Sequence, residues 1–300
     1  KEMIQLTNKL GETIPQIGLG TFPFEGRVMA DMVKAALKVG YRLFDTADDY
    51  RGEPGIGMAV KELAAEGFDR EHLFLQTKIS DNNAHEDEPF KGIYFNPNSK
   101  FMQRHTVDEI VKEKVATSLR DMNTSYLDSL LIHYPFPDYI VDIWKTMIEL
   151  KKQGVVRYIG VSNFHERHID KLIAETGVTP DINEVYVSPI GIKQSLVDYC
   201  NNHQILVMPY SPLMDVAHGK IPTEKLQPIM EKYKKSLAQV VLRWNIERGC
   251  FPLPKTKNPK RLEENFNIFD FSLTSEEVEI ISSLNYDNQY LVESKICPGL

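Results

Sequence analysis

The sequence predicts an α/β fold, a (β/α)8 TIM barrel of parallel strands. Short apolar blocks alternate with stretches whose apolar residues recur at helical spacing, and this pair repeats eight times. The turn after the first block, "GLGTFPFEG", lacks the GxGxxG spacing that would favour an open doubly wound sheet. Barrels of this kind commonly reach 300 residues as one domain, so residues 1–300 are expected to form a single barrel.

The elements are expected in a regular order. A β-hairpin is predicted near residues 3–15, where "MIQLTN" and "TIPQIGLG" flank a Gly11-Glu12 turn. The strand blocks of the barrel are "IGLG", "YRLFD", "LFLQTK", "YLDSLLIH", "VVRYIGVSN", "DINEVYV", "ILVMPYSP" and "CFPLP". Each precedes a helical pattern, and several of these patterns end on a glycine suited to a C-terminal cap, namely Gly40, Gly67, Gly154, Gly177 and Gly249.

Composition describes an ordinary globular protein. Hydrophobic residues make up 42% and charged residues 26%, and the net charge of −7 argues against nucleic acid as a partner. No apolar run approaches the roughly 18 residues that span a bilayer, and the first twelve residues lack the apolar core of a signal peptide. The three cysteines are few and far apart, which is typical of a reducing compartment. We expect a cytoplasmic protein, a monomer or weak dimer that binds neither membrane nor nucleic acid.

The segment 80–105 is too long for an ordinary loop between a strand and a helix. It is either a solvated insertion or a loop facing the substrate, and the sequence leaves both open. His85 is followed directly by three acidic residues at 86–88, but adjacent residues give no defined ligand geometry. No metal site is predicted.

Polar residues collect at the carboxyl ends of the predicted strands, where such barrels build their active sites. The pattern recurs on seven strands and comprises Asp45, Lys78, His133, Ser162, Asn163, Glu184, Tyr210, Ser211, Lys255 and Thr256. Taken alone, each of these residues has an ordinary structural explanation: a lysine after a strand is usually solvated, and a histidine there is usually structural. Four titratable groups converging on one mouth favour an active site made of Asp45, Tyr50, Lys78 and His133.

The types of these four residues indicate a reaction. Asp45 beside Lys78 keeps both charged, and a neighbouring ammonium is expected to lower the pKa of Tyr50 from about 10, which makes it a plausible proton donor. His133 can hydrogen-bond a substrate oxygen or polarise the tyrosine. The set suits a carbonyl that gains negative charge and then a proton, and the hydride this needs implies a nicotinamide cofactor. Asp48 and Asp49 are interpreted as solvated loop charges.

Several segments together resemble the aldo-keto reductase family over nearly the whole chain. "GYRLFDTADDY" is similar to the family segment with a catalytic Asp and Tyr five residues apart, and "YLDSLLIHYP" to the segment holding its catalytic His. "GVVRYIGVSNF" resembles a strand signature of the family, and "PYSPL" and "LPKTKNPKRLEEN" resemble its cofactor segments. The resemblance implies an NADP-dependent oxidoreductase that reduces an aldehyde or ketone to an alcohol.

The resemblance also implies roles for single residues. Tyr50 would be the general acid, Lys78 would lower its pKa, Asp45 would hold Lys78, and His133 would orient the carbonyl. Phe22 and Tyr134 would wall the substrate pocket, together with Tyr50, the 80–105 insertion and the C-terminal tail. The aromatic side chains of Phe22, Tyr134, Tyr94 and Phe95 suggest an apolar or aromatic aldehyde or ketone, and a sugar aldehyde stays open.

The cofactor is expected to be NADPH, bound along the mouth of the barrel. By resemblance, the nicotinamide would meet Ser162, Asn163 and Tyr210, the pyrophosphate Ser211 and Leu213, the 2′-phosphate Lys255, Thr256 and Arg261, and the adenine Glu264 and Asn265. Gly20, Thr21, Phe22 and Glu184 complete the expected set. Lys255 and Arg261 favour NADPH over NADH because two cations suit a phosphate better than a ribose hydroxyl.

The sequence departs from the family pattern at several places. Glu184 stands where a glutamine usually contacts the carboxamide, and an ionised carboxylate there would lack the two amide donors. Phe22 and Tyr134 stand where tryptophans are frequent. The insertion at 80–105 lengthens the chain before His133, and the C-terminal tail is short.

Two alternative functions compete with the reductase. One is a regulatory module that binds NADPH, reports redox state and turns over slowly, although all four converging residues are present. The other is a Schiff-base aldolase acting through Lys78, which would need a neutral lysine, whereas Asp45 favours the charged form.

Overall fold

A computed structural model describes residues 5–7, 12–80, 104–135 and 138–290 of the chain. The segment predicted as a long insertion, with His85 and the acidic residues after it, lies almost wholly outside the described residues. The predicted hairpin is confirmed, because β1 (Gln5–Thr7) pairs antiparallel with β2 (Thr13–Pro15).

A parallel sheet of seven strands follows, in sequential order and with every strand paired to the next. Each strand corresponds to a predicted apolar block. The strands are β3 (Gly18–Gly20), β4 (Leu43–Asp45), β5 (Phe74–Ile79), β6 (Leu127–Ile132), β7 (Val156–Ser162), β8 (Ile182–Tyr186) and β9 (Leu206–Tyr210).

The eighth predicted strand closes the barrel without becoming a regular strand. Segment 250–254 forms isolated parallel bridges to β9, and Phe251 and Leu253 donate their N–H groups to it. On the other side, the carbonyls of Pro252 and Pro254 accept from β3. Proline has no N–H to return to β3, so this edge carries only half of a normal ladder. The (β/α)8 architecture is confirmed, with the last strand reduced to bridges.

Helices follow the strands as the helical spacing predicts, and all five predicted glycine caps have positive φ. The helices are α1 (Gly26–Val39), α2 (Glu53–Ala65), α3 (Val107–Asp121), α4 (Ile140–Lys152), α5 (Glu166–Thr176), α6 (Gln194–Asn202), α7 (Met214–Ala217), α8 (Thr223–Tyr233), α9 (Leu237–Glu247), α10 (Pro259–Phe266) and α11 (Ser275–Ser282), with a 3-10 turn at Arg70–His72. The sequence did not predict α7, α11 or this turn. No helix of the described residues is long and apolar enough to cross a membrane.

The hairpin covers one end of the barrel. Ile14 of β2 is fully buried in a cluster with the first residues of β4, β5 and β8, which are Leu43, Phe74 and Ile182. This apolar cluster fills the barrel at the amino ends of its strands. The active site is therefore expected at the opposite end of the barrel, where the strands end in polar residues.

A buried carboxyl group ties α2 to the barrel and to α3. Glu53, at the start of α2, accepts hydrogen bonds of 3.0 Å from Thr77 Oγ1 and Ser118 Oγ. Burial, and next the charge of Asp48, raise the pKa of Glu53 to about 8, while the hydroxyl donors oppose the shift. At neutral pH the folded protein therefore holds this group mostly protonated, whereas the unfolded chain ionises it.

Glu53 is expected to make the folded state less stable as the pH rises. Between about pH 5 and 7 the folded state binds one more proton than the unfolded state, so stability should fall by up to about 1.4 kcal/mol per pH unit from this group. Glu53→Gln should flatten the slope of the unfolding free energy against pH, measured by urea unfolding. E71Q removes an exposed carboxylate and is the matched control, which should keep the wild-type slope. Parallel profiles for wild type and E53Q would contradict the buried proton.

Candidate active site

Lys78 is buried at the carboxyl end of β5 with its charge compensated. Its Nζ lies 3.0 Å from both carboxylate oxygens of Asp45, the last residue of β4, and donates at 2.8 Å to the carbonyl of Thr46. Burial lowers the pKa of Lys78, but its interactions with Asp45, and next with Glu184, outweigh burial and hold the pKa well above its usual value. The predicted Asp45–Lys78 pair is present, and the lysine is charged.

Glu184 brings a second carboxyl group to the same lysine. Its Oε1 lies 3.3 Å from Lys78 Nζ, and its Oε2 accepts at 3.1 Å from Gln76, which also donates to Asp45. Burial, followed by the charge of Asp45, raises the pKa of Glu184 well above its usual range. The raised pKa favours a protonated Glu184. Position 184 thus retains a hydrogen-bond donor, contrary to the expectation of an ionised carboxylate.

Tyr50 lies in the loop after β4, within reach of both Lys78 and His133. Its hydroxyl is 3.4 Å from His133 Nε2, and Lys78 Nζ is 5.0 Å from its ring centroid. Burial raises the pKa of Tyr50 above its ordinary value, and Lys78 acts in the opposite direction. The expectation that its pKa falls is wrong, because removal from water outweighs the ammonium. A raised pKa keeps the phenol protonated, as a proton donor requires.

His133 follows β6 and is a neutral imidazole. Burial, and then the charges of Lys78 and Lys114, hold its pKa well below the usual range. Its Nδ1 lies 2.8 Å from Ser80 Oγ, and its ring stacks on Tyr134 with centroids 4.4 Å apart. If the Ser80 hydroxyl donates to Nδ1, Nε2 carries the hydrogen and can donate toward Tyr50 or a substrate oxygen.

These groups border a cavity of about 320 Å³ at the carboxyl ends of the strands. Most of the predicted catalytic and nicotinamide-contacting residues line it, while Lys78 lies beneath, behind Asp45. The lining residues are Gly20, Thr21, Phe22, Asp45, Asp49, Tyr50, His133, Tyr134, Ser162, Asn163, Glu184, Tyr210, Ser211, Leu253, Lys255 and Tyr290.

Three of the predicted nicotinamide contacts are held by one hydrogen-bonded chain. Asn163 donates at 3.1 Å to the His133 carbonyl, and its Oδ1 accepts at 2.8 Å from the Tyr210 hydroxyl. Ser162 Oγ donates at 2.9 Å to the Glu184 carbonyl. These contacts fix the side chains in the wall of the same cavity that Tyr50 lines.

A second cavity of about 770 Å³ continues from the first. Four residues line both spaces: Phe22, Ser211, Lys255 and Tyr290. The second cavity also contains the rest of the predicted cofactor set, namely Leu213, Thr256, Arg261, Glu264 and Asn265. An elongated groove of this kind suits a dinucleotide, with one end at Tyr50 and the other at α10.

The α10 end of the groove has the donors that a phosphate needs. Lys255 and Arg261 are exposed, and within the described ranges neither is paired with a carboxylate. Asn258 caps the helix by accepting from the backbone N–H groups of Lys260 and Arg261. Asn265 is 4% exposed and lines the same cavity. The residues present therefore fit the phosphate and base of an adenine dinucleotide.

The interpretation of Asp48 and Asp49 as solvated charges is wrong. Asp48 forms a largely buried ion pair at 2.8 Å with Lys114 of α3 and accepts from the backbone N–H of Ser80. Asp49 lines the catalytic cavity, with its Oδ1 3.6 Å from His133 Nδ1. Their partners are distant in the sequence, so no local pattern could reveal them.

Two further residues of the site were missed. Ser80 positions His133 but sits at the border of the insertion, where the sequence resembles a loop. Tyr290 closes one side of both cavities, and its ring lies 6.1 Å from those of Tyr186 and Tyr210. The tail as a whole was expected near the pocket, but nothing in its composition singles out Tyr290.

Comparison with known proteins adds an independent observation. A sequence model described as the Aldo/keto reductase family matches residues 16–286. The chain belongs to the aldo/keto reductase family.

Relatives of this aldo/keto reductase cover nearly its full length. It is 35% identical over 277 residues to the methylglyoxal reductase DkgA of Escherichia coli O157:H7, covering 92% of this chain and 91% of the relative. It is 36% identical over 291 residues to the glyoxal reductase of Bacillus subtilis, covering 96% and 95%.

Solved structures agree with the barrel. The Bombyx mori aldo-keto reductase in complex with NADP is similar with a TM-score of 0.83 at 30% identity, over 98% of this chain and 97% of that one. An aldo/keto reductase from Brucella melitensis is similar with a TM-score of 0.80 at 33% identity, over 94% and 100%. At this identity, the likeness supports both family and fold.

Proposed function

We propose that this aldo/keto reductase is an NADPH-dependent enzyme that reduces an aldehyde or ketone to an alcohol. The observation that carries the proposal is the juxtaposition of a protonated Tyr50 with a charged Lys78 and a neutral His133 beside one cavity. Family membership and a relative solved with NADP support it.

The residues can be assigned steps in the reaction. NADPH, when bound, supplies a hydride to the carbonyl carbon. His133 Nε2 and the Tyr50 hydroxyl hold the carbonyl oxygen, and Tyr50 gives its proton to the developing alkoxide. Lys78 stabilises the phenolate that remains, and Asp45 keeps Lys78 charged and fixed. The buried setting strengthens each of these electrostatic contacts.

The cofactor is proposed to run along both cavities. Ser162, Asn163 and Glu184 would hold the carboxamide, and Tyr210 would stack on the nicotinamide ring. The second cavity would take the remainder, in the order proposed from the sequence: Ser211 and Leu213 at the pyrophosphate, Lys255, Thr256 and Arg261 at the 2′-phosphate, Glu264 and Asn265 at the adenine. Gly20, Thr21 and Phe22 border the nicotinamide end.

The structure gives no support to the aldolase alternative. A Schiff base requires a neutral lysine, and Asp45 holds the pKa of Lys78 well above its usual value despite burial. The first cavity suits small carbonyl compounds, and the named activities of the relatives make methylglyoxal and glyoxal the first substrates to test. A cytoplasmic location is proposed because Cys200 and Cys250 are free and buried.

Arg261→Ala is expected to weaken NADPH binding at least tenfold more than NADH binding. The guanidinium can pair with the 2′-phosphate, which NADH lacks, and charged hydrogen bonds to phosphate are strong. Fluorescence titration with both nucleotides measures the two affinities. K260A is the matched control, because Lys260 is the neighbouring cation and lies outside both cavity linings. Equal losses for NADPH and NADH in R261A would contradict the phosphate contact.

A further inference from the structure

Asp49 is a carboxylate in the wall of the catalytic cavity that the reaction steps above do not use. It precedes Tyr50 directly, and its side chain remains 22% exposed. Its Oδ1 lies 3.6 Å from His133 Nδ1, which is beyond hydrogen-bonding distance. Among the described residues this buried oxygen has no hydrogen-bond partner.

No cation neutralises Asp49 at contact distance within the described part of the chain. The nearest lysines are engaged elsewhere: Lys78 with Asp45 and Glu184, and Lys114 with Asp48. His133 is neutral. Burial, and next the charge of Asp48, raise the pKa of Asp49 to about 6, while Ser80 and the two lysines oppose the shift. Asp49 is therefore ionised above this pH, and the exposed part of its side chain presents an unneutralised carboxylate to the cavity.

We propose that Asp49 is a specificity-determining residue, which favours carbonyl substrates bearing a hydroxyl group next to the carbonyl and disfavours those bearing a carboxylate there. The inference rests on the proposed reductase function and adds the substrate class. It is carried by the place of Asp49 in the wall of the cavity that Tyr50 and His133 also line, because these two groups would hold the carbonyl oxygen. A substituent on the neighbouring carbon of a short substrate would come within reach of Asp49.

The preference follows from the chemistry of an ionised carboxylate. Asp49 can only accept hydrogen bonds, so a substrate hydroxyl is a suitable partner and an alkyl group is not. A hydrogen bond to a charged group is about twice as strong as a neutral one, whereas a second carboxylate nearby is repelled. The aromatic side chains of Phe22 and Tyr134 carry no charge, so they cannot favour a hydroxyl over an alkyl group in this way or repel a carboxylate.

Three small aldehydes of similar size test the inference: propanal, glycolaldehyde and glyoxylate, which carry methyl, hydroxyl and carboxylate groups next to reacting carbons. We would measure kcat/KM for each near pH 8 with wild type, D49N and D49V. In D49V the ratio of glycolaldehyde to propanal should fall about tenfold. In D49N and D49V the ratio of glyoxylate to propanal should rise about tenfold. Comparing ratios between variants cancels the hydration of each aldehyde.

D48N is the matched control, because it removes the adjacent negative charge outside the cavity lining and should keep the wild-type ratios. Ratios that stay the same in D49N and D49V while all three rates fall together would overturn the inference, since Asp49 would then act only through His133. Wild type that fails to reduce any of the three aldehydes would instead contradict the proposed function. The two failures are therefore distinguishable.

Discussion

Tyr50→Phe is expected to lower turnover by at least about a hundredfold while NADPH binding changes little. The substitution removes only the hydroxyl that lies 3.4 Å from His133 Nε2 and keeps the ring, which meets Phe22 edge-on at 5.0 Å. Among the described residues, Lys78 is buried outside the cavity lining and the neutral His133 is placed to hold the carbonyl oxygen, so neither replaces the phenol proton. Steady-state NADPH oxidation and fluorescence titration measure the two effects separately.

The comparison for this variant is Y134F, which removes a hydroxyl from the wall of the same cavity. Its loss of turnover should be at least tenfold smaller than that of Y50F, since Tyr134 is assigned to the pocket and not to proton transfer. Similar losses in both variants, or unchanged turnover in Y50F, would contradict the assignment of the general acid.

Lys78→Met is expected to damage both activity and stability. Turnover should fall at least about a hundredfold, because Lys78 is the cation that lowers the pKa of Tyr50 and would stabilise its phenolate. Stability should fall by about 3–5 kcal/mol, because Asp45 is left as a buried charge without its counter-ion. Steady-state NADPH oxidation measures the turnover, and urea unfolding of the same preparation measures the free energy of unfolding.

The double variant K78M/D45N separates the two effects. With both charges removed, the buried ion pair is replaced by neutral groups, so much of the lost stability should return. Turnover should not return, because the ammonium is still missing. A double variant as unstable as K78M would mean that packing around the lysine stem, and not the unpaired carboxylate, sets the cost.

Much of the barrel could be predicted because its signals are local. Seven strand blocks, the hairpin and the capping glycines each depend on residues close in sequence, and all are found in the structure. The predicted eighth strand, 250–254, does not form a regular strand, and the reason is again local. Pro252 and Pro254 have no backbone N–H groups to donate to β3. The helix α11 was not predicted, although Thr274 and Glu277 form a capping box at its start.

The convergence of Asp45, Lys78, His133 and Tyr50 was predictable for a geometric reason. Parallel strands of a barrel end on the same face, so polar residues at strand ends must meet. What the sequence could not show is burial. Burial reverses the expected direction for the Tyr50 pKa and gives Glu184 a proton, and both depend on how completely the strands exclude water.

The misinterpretation of Asp48 and Asp49 has a different origin. Two acidic residues in a short loop usually face solvent, and only the packing of α3 and β6 against that loop brings Lys114 and His133 to them. The substrate preference proposed for Asp49 therefore depends on a tertiary contact. The segment 80–105, with Tyr94 and Phe95, lies mostly outside the described residues, so its place at the substrate pocket remains a prediction.

The most direct test of the account is hydride transfer itself. Purified protein would be incubated with NADPH deuterated at the transferable position and with methylglyoxal or propanal, and the products examined by mass spectrometry. The account predicts an alcohol with one deuterium on the former carbonyl carbon, and at least about a hundredfold slower formation with Y50F. Tight NADPH binding without any deuterated alcohol would contradict the reductase and favour the regulatory module.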